Sequence, residues 1–301
     1  MSRVSSQKLQ QLTPADMVKH KLVDPVRLFV KNEPHKEAKI VEGRVRLISS
    51  VSLVDQIIER LLCGEQNDAE IDSWLSCPSK PGIGLSSDEQ TEAFMESMKC
   101  KEDKAESDVV AWDFSVKMWQ LLLDAMSRAR LAGQPRGSFY YHMVMARAWL
   151  LGNSVFVLSS GKMYQQTRPG IMKSGAYVTS STNSRMRVQL CHVVGASWAI
   201  AMGDDALEQF LEGARQRYTE LGFEMKMYEK CPDDEFEFCS HRFADGRAEP
   251  LNWAKGFYRL LSHKPDPFIL EQFRHEFRNS PRLYELLVAL PECGWNPETN
   301  L

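Results

Sequence analysis

Two aspartates, Asp204 and Asp205, stand side by side in "SWAIAMGDDALEQF", directly after a mostly apolar run and Gly203. Like charges in close contact are costly unless a cation or a hydrogen-bond network compensates them. A polar β-turn is the plain alternative, because Gly and Asp are ordinary turn residues. A further acid, Asp108, opens the stretch "SDVVAWD", whose apolar middle is framed by Asp108 and Asp113. If both apolar runs are strands of one sheet, Asp108, Asp204 and Asp205 converge at its edge. Such a cluster suits Mg²⁺, which takes carboxylates together with phosphate oxygens and water. Two such ions about 4 Å apart are the usual device for phosphoryl and nucleotidyl transfer.

The elements that must position these acids can be traced by pattern. Residues 22–50 predict short extended pieces, with alternation at Arg44, Val45, Arg46 and Leu47. "SLVDQIIERLLCGEQ" predicts a helix with Ser52 and Asp55 as a capping pair and Gly64 as its stop. "DEQTEAFMESMKCK" and "SVKMWQLLLDAMSRARLAG" predict helices, and "NSVFVLSSGKMYQQ" a hairpin turning at Ser160-Gly161. "TSSTNSRMRVQLCHVVG" predicts a helix ending near Gly195, and "ALEQFLEGARQRYTELG" another, stopped by Gly222. "FEMKMYEK" and "FEFCSHRF" predict strands, and the chain reads as helical from about Pro250 onward. The order is that of an α+β fold, an antiparallel sheet with helices on one face.

Charge is unevenly spread. The 301 residues carry a formal net charge of -3, yet no Asp or Glu occurs from Ala125 to Gly203. That segment holds Arg128, Arg130, Arg136, Arg147, Lys162, Arg168, Lys173, Arg185 and Arg187, a +9 block that leaves -12 for the remainder. A long block of one sign predicts a field aimed at a polyanion, with nucleic acid foremost; a chance skew or a protein partner is the alternative. The seven cysteines form no CxxC pair, so neither a disulfide framework nor a structural zinc site is expected. No apolar run reaches the length of a transmembrane helix.

The ordered motifs resemble those of viral RNA-dependent RNA polymerases of positive-strand RNA viruses, with wording most similar to the sobemovirus and polerovirus group. "FVKNEPHKEAKIVEGRVRLISSVSLVDQ" resembles the basic fingers motif, "SDVVAWDFS" the first palm motif, "SGAYVTSSTN" the second, "MGDD" the third, "GFEMKMYEK" the fourth and "FEFCSHRF" the fifth. The resemblance implies a right-hand polymerase: a fingers portion at 1–107 with its basic motif at 28–50, a palm at 108–243 carrying a fingers insertion at about 130–172, and a short helical thumb at 244–301. It implies RNA-templated RNA synthesis from nucleoside triphosphates, with two Mg²⁺ ions, or Mn²⁺ in their place. The expected partners are template and product RNA and other viral replication proteins, and the expected location is the host cytoplasm, in replication complexes.

Residue roles follow from the same resemblance. Asp108 and Asp204 are the expected metal ligands, with Asp205 secondary. Asp113 is expected to read the ribose 2′-hydroxyl; Thr179 and Asn183, four apart on one helical face, would point to the same place. That hydroxyl is what separates RNA from DNA. Ser174 and Gly175 form a pivot ahead of the helix, with Gly supplying backbone freedom. Lys31, Lys39 and Arg46 align with the triphosphate-contacting residues, with Arg44 and Lys36 as helpers; a solvated basic strand is the alternative, since Glu33, Glu37 and Glu42 interleave. Lys230 is the expected proton donor to pyrophosphate, with Lys226 its rival and a surface lysine the plain alternative.

Only about 23 residues precede the fingers motif, fewer than such polymerases usually carry, so the chain is expected to be a piece of a longer product or a minimal form. The short thumb would suit initiation without a long primer. A reverse transcriptase shares the palm, but Asp113 with Asn183 argues against it, because a bulky aromatic usually stands where Asp113 does. A non-catalytic RNA-binding fragment of a replication complex is the reading from another class.

Overall fold

Strand pairing and helix caps, rather than propensity alone, decide where the elements fall. The computed structural model describes residues 6–33, 37–43, 45–85 and 87–296. Helices α1 (Ser6–Gln10) and α2 (Pro14–Lys19) precede strand β1 (Val26–Val30), helix α3 (Glu37–Val41), strand β2 (Leu47–Ser50) and the long helix α4 (Leu53–Asp72). Next come α5 (Asp88–Lys99), β3 (Lys104–Val109), α6 (Trp112–Ser115), α7 (Met118–Leu131), α8 (Phe139–Leu151) and the hairpin β4 (Val155–Leu158) and β5 (Met163–Gln165). Helix α9 (Thr179–Val194) leads to the hairpin β6 (Ala199–Met202) and β7 (Asp205–Gln209), then α10 (Ala214–Glu220) and β8 (Met225–Lys230). The chain ends with β9 (Phe236–Phe238), β10 (His241–Ala244), β11 (Arg247–Pro250), α11 (Trp253–Ser262), α12 (Pro267–Glu276) and α13 (Leu283–Ala289).

The described residues divide into two compact units, 1–83 with 107–228 and 84–106 with 229–301. In the first, one sheet has the order β2-β1-β4-β5, with β1 antiparallel to β2 and parallel to β4. The strands that bear the acids have the order β6-β7-β3-β8. Helix α9 packs on β6 and β7 through Val188, Cys191, Ala199, Ala201 and Ala206. It is buried at every position from Ser181 to Val188, so its polar side chains need partners within the protein. In the second unit, α5 sets Phe94 against Phe236, Phe238 and Phe243, at ring distances of 6.1, 5.7 and 5.2 Å. Helices α11 to α13 enclose a separate apolar core around Phe273, Phe277 and Trp295.

Several elements differ from the pattern reading. Residues 206–209 are a strand, not the start of a helix: Ala206 pairs with Ala201 and Glu208 with Ala199, so sheet pairing overrides a helical pattern. The helix begins only at Ala214, after Gly213 at φ 74°. Helix α4 runs past Gly64 to Asp72; the Ser52 cap holds, its hydroxyl accepting the Asp55 amide at 3.1 Å. Helices α1, α2, α3, α6 and α8 and strand β11 are additional to the pattern reading. Helix α5, which the sequence boundaries group with the fingers portion, packs against β11.

Candidate active site

The β6–β7 turn is a two-residue loop, Gly203-Asp204, between the paired Met202 and Asp205. Gly203 has φ 65°, and a positive φ at the first loop position is what a type II′ hairpin demands. Its amide donates to the Ser184 hydroxyl of α9 at 2.9 Å, which pins the turn to the helix. Asp204 is exposed and Asp205 half-buried. Burial, then the charges of Asp204 and Asp108, push the Asp205 carboxyl up to about 6, so the three acids share one local field. Lys226 on β8 pairs with Asp108, and that hydrogen bond raises the lysine above its ordinary value.

Chain direction changes sharply just after Asp108. Ala111 takes φ 49°, a left-handed conformation that costs a residue with a side chain, and starts the short helix bearing Asp113. Asn183 of α9 donates from Nδ2 to Asp113 Oδ1 at 2.9 Å. The Asn183 Oδ1 atom is buried and has no hydrogen-bond partner. Burial raises the Asp113 carboxyl, Asn183 opposes this, Asp204 adds to it, and Arg46 lowers it. Asp113 thus lies within electrostatic reach of both the aspartate turn and the basic motif.

Oxygen-only carboxylate donors are the right chemistry for a hard divalent cation. Among the described residues no three His, Cys, Asp or Glu side chains converge into a ready-made cage. An open set of this kind fits an ion that keeps waters and takes substrate phosphates as ligands.

A family model described as viral RNA-directed RNA polymerase matches residues 2–101 and 118–256. The chain belongs to this viral polymerase family. It is 45% identical over 294 residues to the replicase polyprotein P2AB of Southern cowpea mosaic virus, covering 94% of this chain and 30% of that one. It is 40% identical to the RNA-directed RNA polymerase of Mushroom bacilliform virus, over 90% of this chain and 69% of that one. The chain therefore spans under a third of the first polyprotein and most of the second relative. A sicinivirus 3Dpol RNA-dependent RNA polymerase structure shares the fold, with a TM-score of 0.63 at 15% identity over 83% of this chain and 58% of that one. The α+β arrangement is the right-hand polymerase fold, and membership of the family carries a general dependence on divalent metal.

Other residues of the polymerase motifs depart from expectation. The Thr179 hydroxyl does not join Asn183; its one proton is shared between the carbonyls of Lys173 and Ala176, at 2.8 and 2.7 Å, and so ties the start of α9 to the loop before it. Gly175 has no positive φ, and its role is space. A Cβ there would sit 2.7 Å from the Ser49 carbonyl oxygen, which its own amide meets at 3.0 Å. Ser174 accepts the Ser49 amide at 3.1 Å, so both residues tie the loop to β2. Lys31 and Arg46 share Glu33, at 3.0 and 3.6 Å, and Lys39 is exposed on α3. Arg44 and Lys36 lie outside the described residues.

Lys230 meets Asp103 at 2.6 Å, at the opposite end of strand β8 from Lys226, which meets Asp108. The lysine among the carboxylates is Lys226, the rival of the two.

The basic block resolves into two kinds of residue. Arg130, Arg136, Lys162 and Arg168 are exposed, but Arg128, Arg147, Lys173, Arg185 and Arg187 are buried. Arg147 pairs with Asp55 at 2.5 Å and Glu59 at 2.8 Å, Arg128 with Asp124 at 3.1 Å, and Arg187 with Glu208 at 3.2 Å. Arg185 pairs with Asp124 at 2.6 Å and with Glu70. All these acids lie outside residues 125–203, so four of the nine neutralise acids of the fold's own interior, while buried Lys173 is held by Gln166 and backbone carbonyls. The supporting residues Ser184 and Glu208 lie outside the quoted motifs, and Ser107, inside the first palm motif, drew no role there; their burial and hydrogen bonds reveal them.

Proposed function

We propose that this chain carries out RNA-templated RNA synthesis for viral genome replication and transcription, joining nucleotides from nucleoside triphosphates to an RNA 3′-hydroxyl. The observation that carries this reading is the Asp113–Asn183 pair, with its buried and unpartnered Asn183 Oδ1, in the field of Asp204 beside Asp108 and Asp205. A ribose 2′-hydroxyl would donate to that oxygen while accepting from a neighbouring donor, and a deoxyribose would leave the oxygen bare.

Asp108 and Asp204, with Asp205 behind them, would hold two Mg²⁺ ions, or Mn²⁺ in their place. Bound there, the ions supply activation of the attacking oxygen and neutralisation of the phosphates. The 3′-oxygen attacks the α-phosphorus, the bond to the bridging oxygen breaks, and pyrophosphate leaves. Lys31, Lys39 and Arg46 supply fixed positive charge where the triphosphate lies. Lys226, held at Asp108, takes the role expected of Lys230: a proton held near the leaving group. The same reading assigns residues 1–107 to fingers, 108–243 to palm and 244–301 to a short thumb. Other viral replication proteins are proposed partners, supported by the polyprotein name of one relative, and host cytoplasmic replication complexes the place of action.

Primer extension on an RNA template with Mg²⁺ tests the proposal. Ribonucleotide incorporation by the parent chain that is lost in Asp204→Ala supports it. RNA binding without incorporation would favour a non-catalytic fragment instead.

A further inference from the structure

Beneath the aspartates lies a buried network that no motif names. Arg187 of α9 is 0% exposed, and its partners Ser107, Glu208 and Tyr218 are 2%, 1% and 0% exposed. Its Nη2 donates to the Ser107 hydroxyl at 2.5 Å and to Glu208 Oε1 at 3.2 Å, and Ser107 donates to the same Glu208 oxygen at 2.5 Å. Its Nη1 reaches the Tyr218 hydroxyl at 3.0 Å, and Tyr218 donates onward to Glu208 at 2.8 Å.

The placement of these groups matters more than their number. Ser107 immediately precedes Asp108 on β3, and Glu208 lies three residues after Asp205 on β7. Side chains alternate along a strand, so both network residues point to the face opposite their respective aspartates. β3 and β7 are neighbours in the sheet. Ser184, one helical turn before Arg187 and on the same face, holds the amide of Gly203. Helix α9 therefore grips the strand of Asp108, the strand of Asp205 and the turn between β6 and β7, while Asn183 reaches Asp113 from the same turn of the helix.

We propose that Arg187, with Glu208 and Ser107, is a positioning residue that sets the spacing between Asp108 and Asp205 and so the affinity of the site for divalent cations. The inference rests on the reading of those aspartates given above. A guanidinium is suited to the task because its planar fork bridges two strands and a helix at fixed angles, which an ammonium cannot do.

The test uses the full 301-residue chain and Mn²⁺ as the probe. Removing one charge alone would leave the other buried and bare, so the main variant is the double Arg187→Met, Glu208→Leu, which removes both. Its thermal unfolding should stay cooperative. Titration of free Mn²⁺ by electron paramagnetic resonance should show binding weakened about tenfold or more, the range found for residues that orient metal ligands. In primer extension, kcat should fall by a similar factor while KM for the nucleotide moves little. If the double variant does not fold, Ser107→Ala, which removes only the bridging hydroxyl, decides: weaker Mn²⁺ binding with an unchanged melt supports the proposal. Variants that fold and bind Mn²⁺ like the parent overturn it, as does a parent that binds no Mn²⁺. A parent that binds Mn²⁺ but incorporates no nucleotide refutes the polymerase activity alone, and the Mn²⁺ comparison still decides the positioning role.

Discussion

The acids of the α4–α7–α9 interior and the acids of the β6–β7 turn are built in opposite ways. Asp124 and Glu70 are 3% and 7% exposed, yet each meets an arginine, and Asp124 also accepts from Thr182 at 3.0 Å. Asp204 and Asp205 are more exposed but less compensated: three carboxylates share a field with Lys226 as the paired cation. Deep burial of charge marks architecture here, because the protein supplies both signs. An excess of one sign at a half-open turn marks a place where something from outside completes the balance.

The contrast is broken most directly by unpairing the interior. Arg185→Met leaves Glu70 without its arginine and Asp124 with one fewer, and is expected to cost about 3–5 kcal/mol, read as a lower urea midpoint with an unchanged denaturant slope.

Next comes Lys173, fully buried at the start of the Ser174-Gly175 loop, its Nζ held by Gln166 at 3.0 Å and by the carbonyls of Gly170 and Ile171. Burial lowers this lysine to about 7. Between that value and 10.5 the unfolded chain binds the proton and the folded chain does not, so stability rises with pH. Below about 7 both states are protonated, and the cost of the buried charge is carried in full. Relative to Lys173→Met, the parent should gain up to about 1.4 kcal/mol per pH unit across this window, measured by chemical unfolding at pH 7, 8 and 9.

The Asn183 and Thr179 pair sharpens the comparison inside one helix. Asn183→Ala should reduce discrimination between ribo- and deoxyribonucleotides about tenfold, equivalent to about 1.4 kcal/mol. Thr179→Val should cost about 1 kcal/mol of stability and leave that discrimination alone, because its hydroxyl is already committed to backbone carbonyls. Equal selectivity losses in single-turnover incorporation would contradict the separation. The smallest effect is expected at Ser52→Ala, the loss of one helix cap, about 1 kcal/mol or less in unfolding free energy.

How much of this was legible in the sequence follows the same divide. The aspartates, Asn183 and the turn at Gly203 are local signals: a charge conflict, a spacing, a glycine before two acids. The motif order carried the family. The interior pairs were not legible, because Arg147 finds Asp55 and Glu59, and Arg185 finds Glu70, across long stretches of chain. A +9 block therefore read as a surface field when five of its members are buried. Residues 206–209 read as helix for a related reason: Leu207 is fully buried as the middle of a sheet strand, and pattern alone cannot tell that burial from a helix face. Gly175 read as a hinge, though a close approach to Ser49 is what excludes a side chain there. Lys226 and Lys230, both on β8, could be separated only once β3 lay beside them.

The central claim is that the turn acids are held for an outside partner and the interior acids for the fold. One paired measurement tests it: thermal unfolding in EDTA together with primer extension in Mg²⁺, for Asp205→Asn and for Asp124→Asn. Removing the charge of Asp205 should relieve repulsion, raise the metal-free unfolding midpoint and abolish or sharply reduce incorporation. Removing the charge of Asp124 should lower the midpoint. An Asp205→Asn chain that is less stable without metal, or that incorporates nucleotides like the parent, would contradict the account.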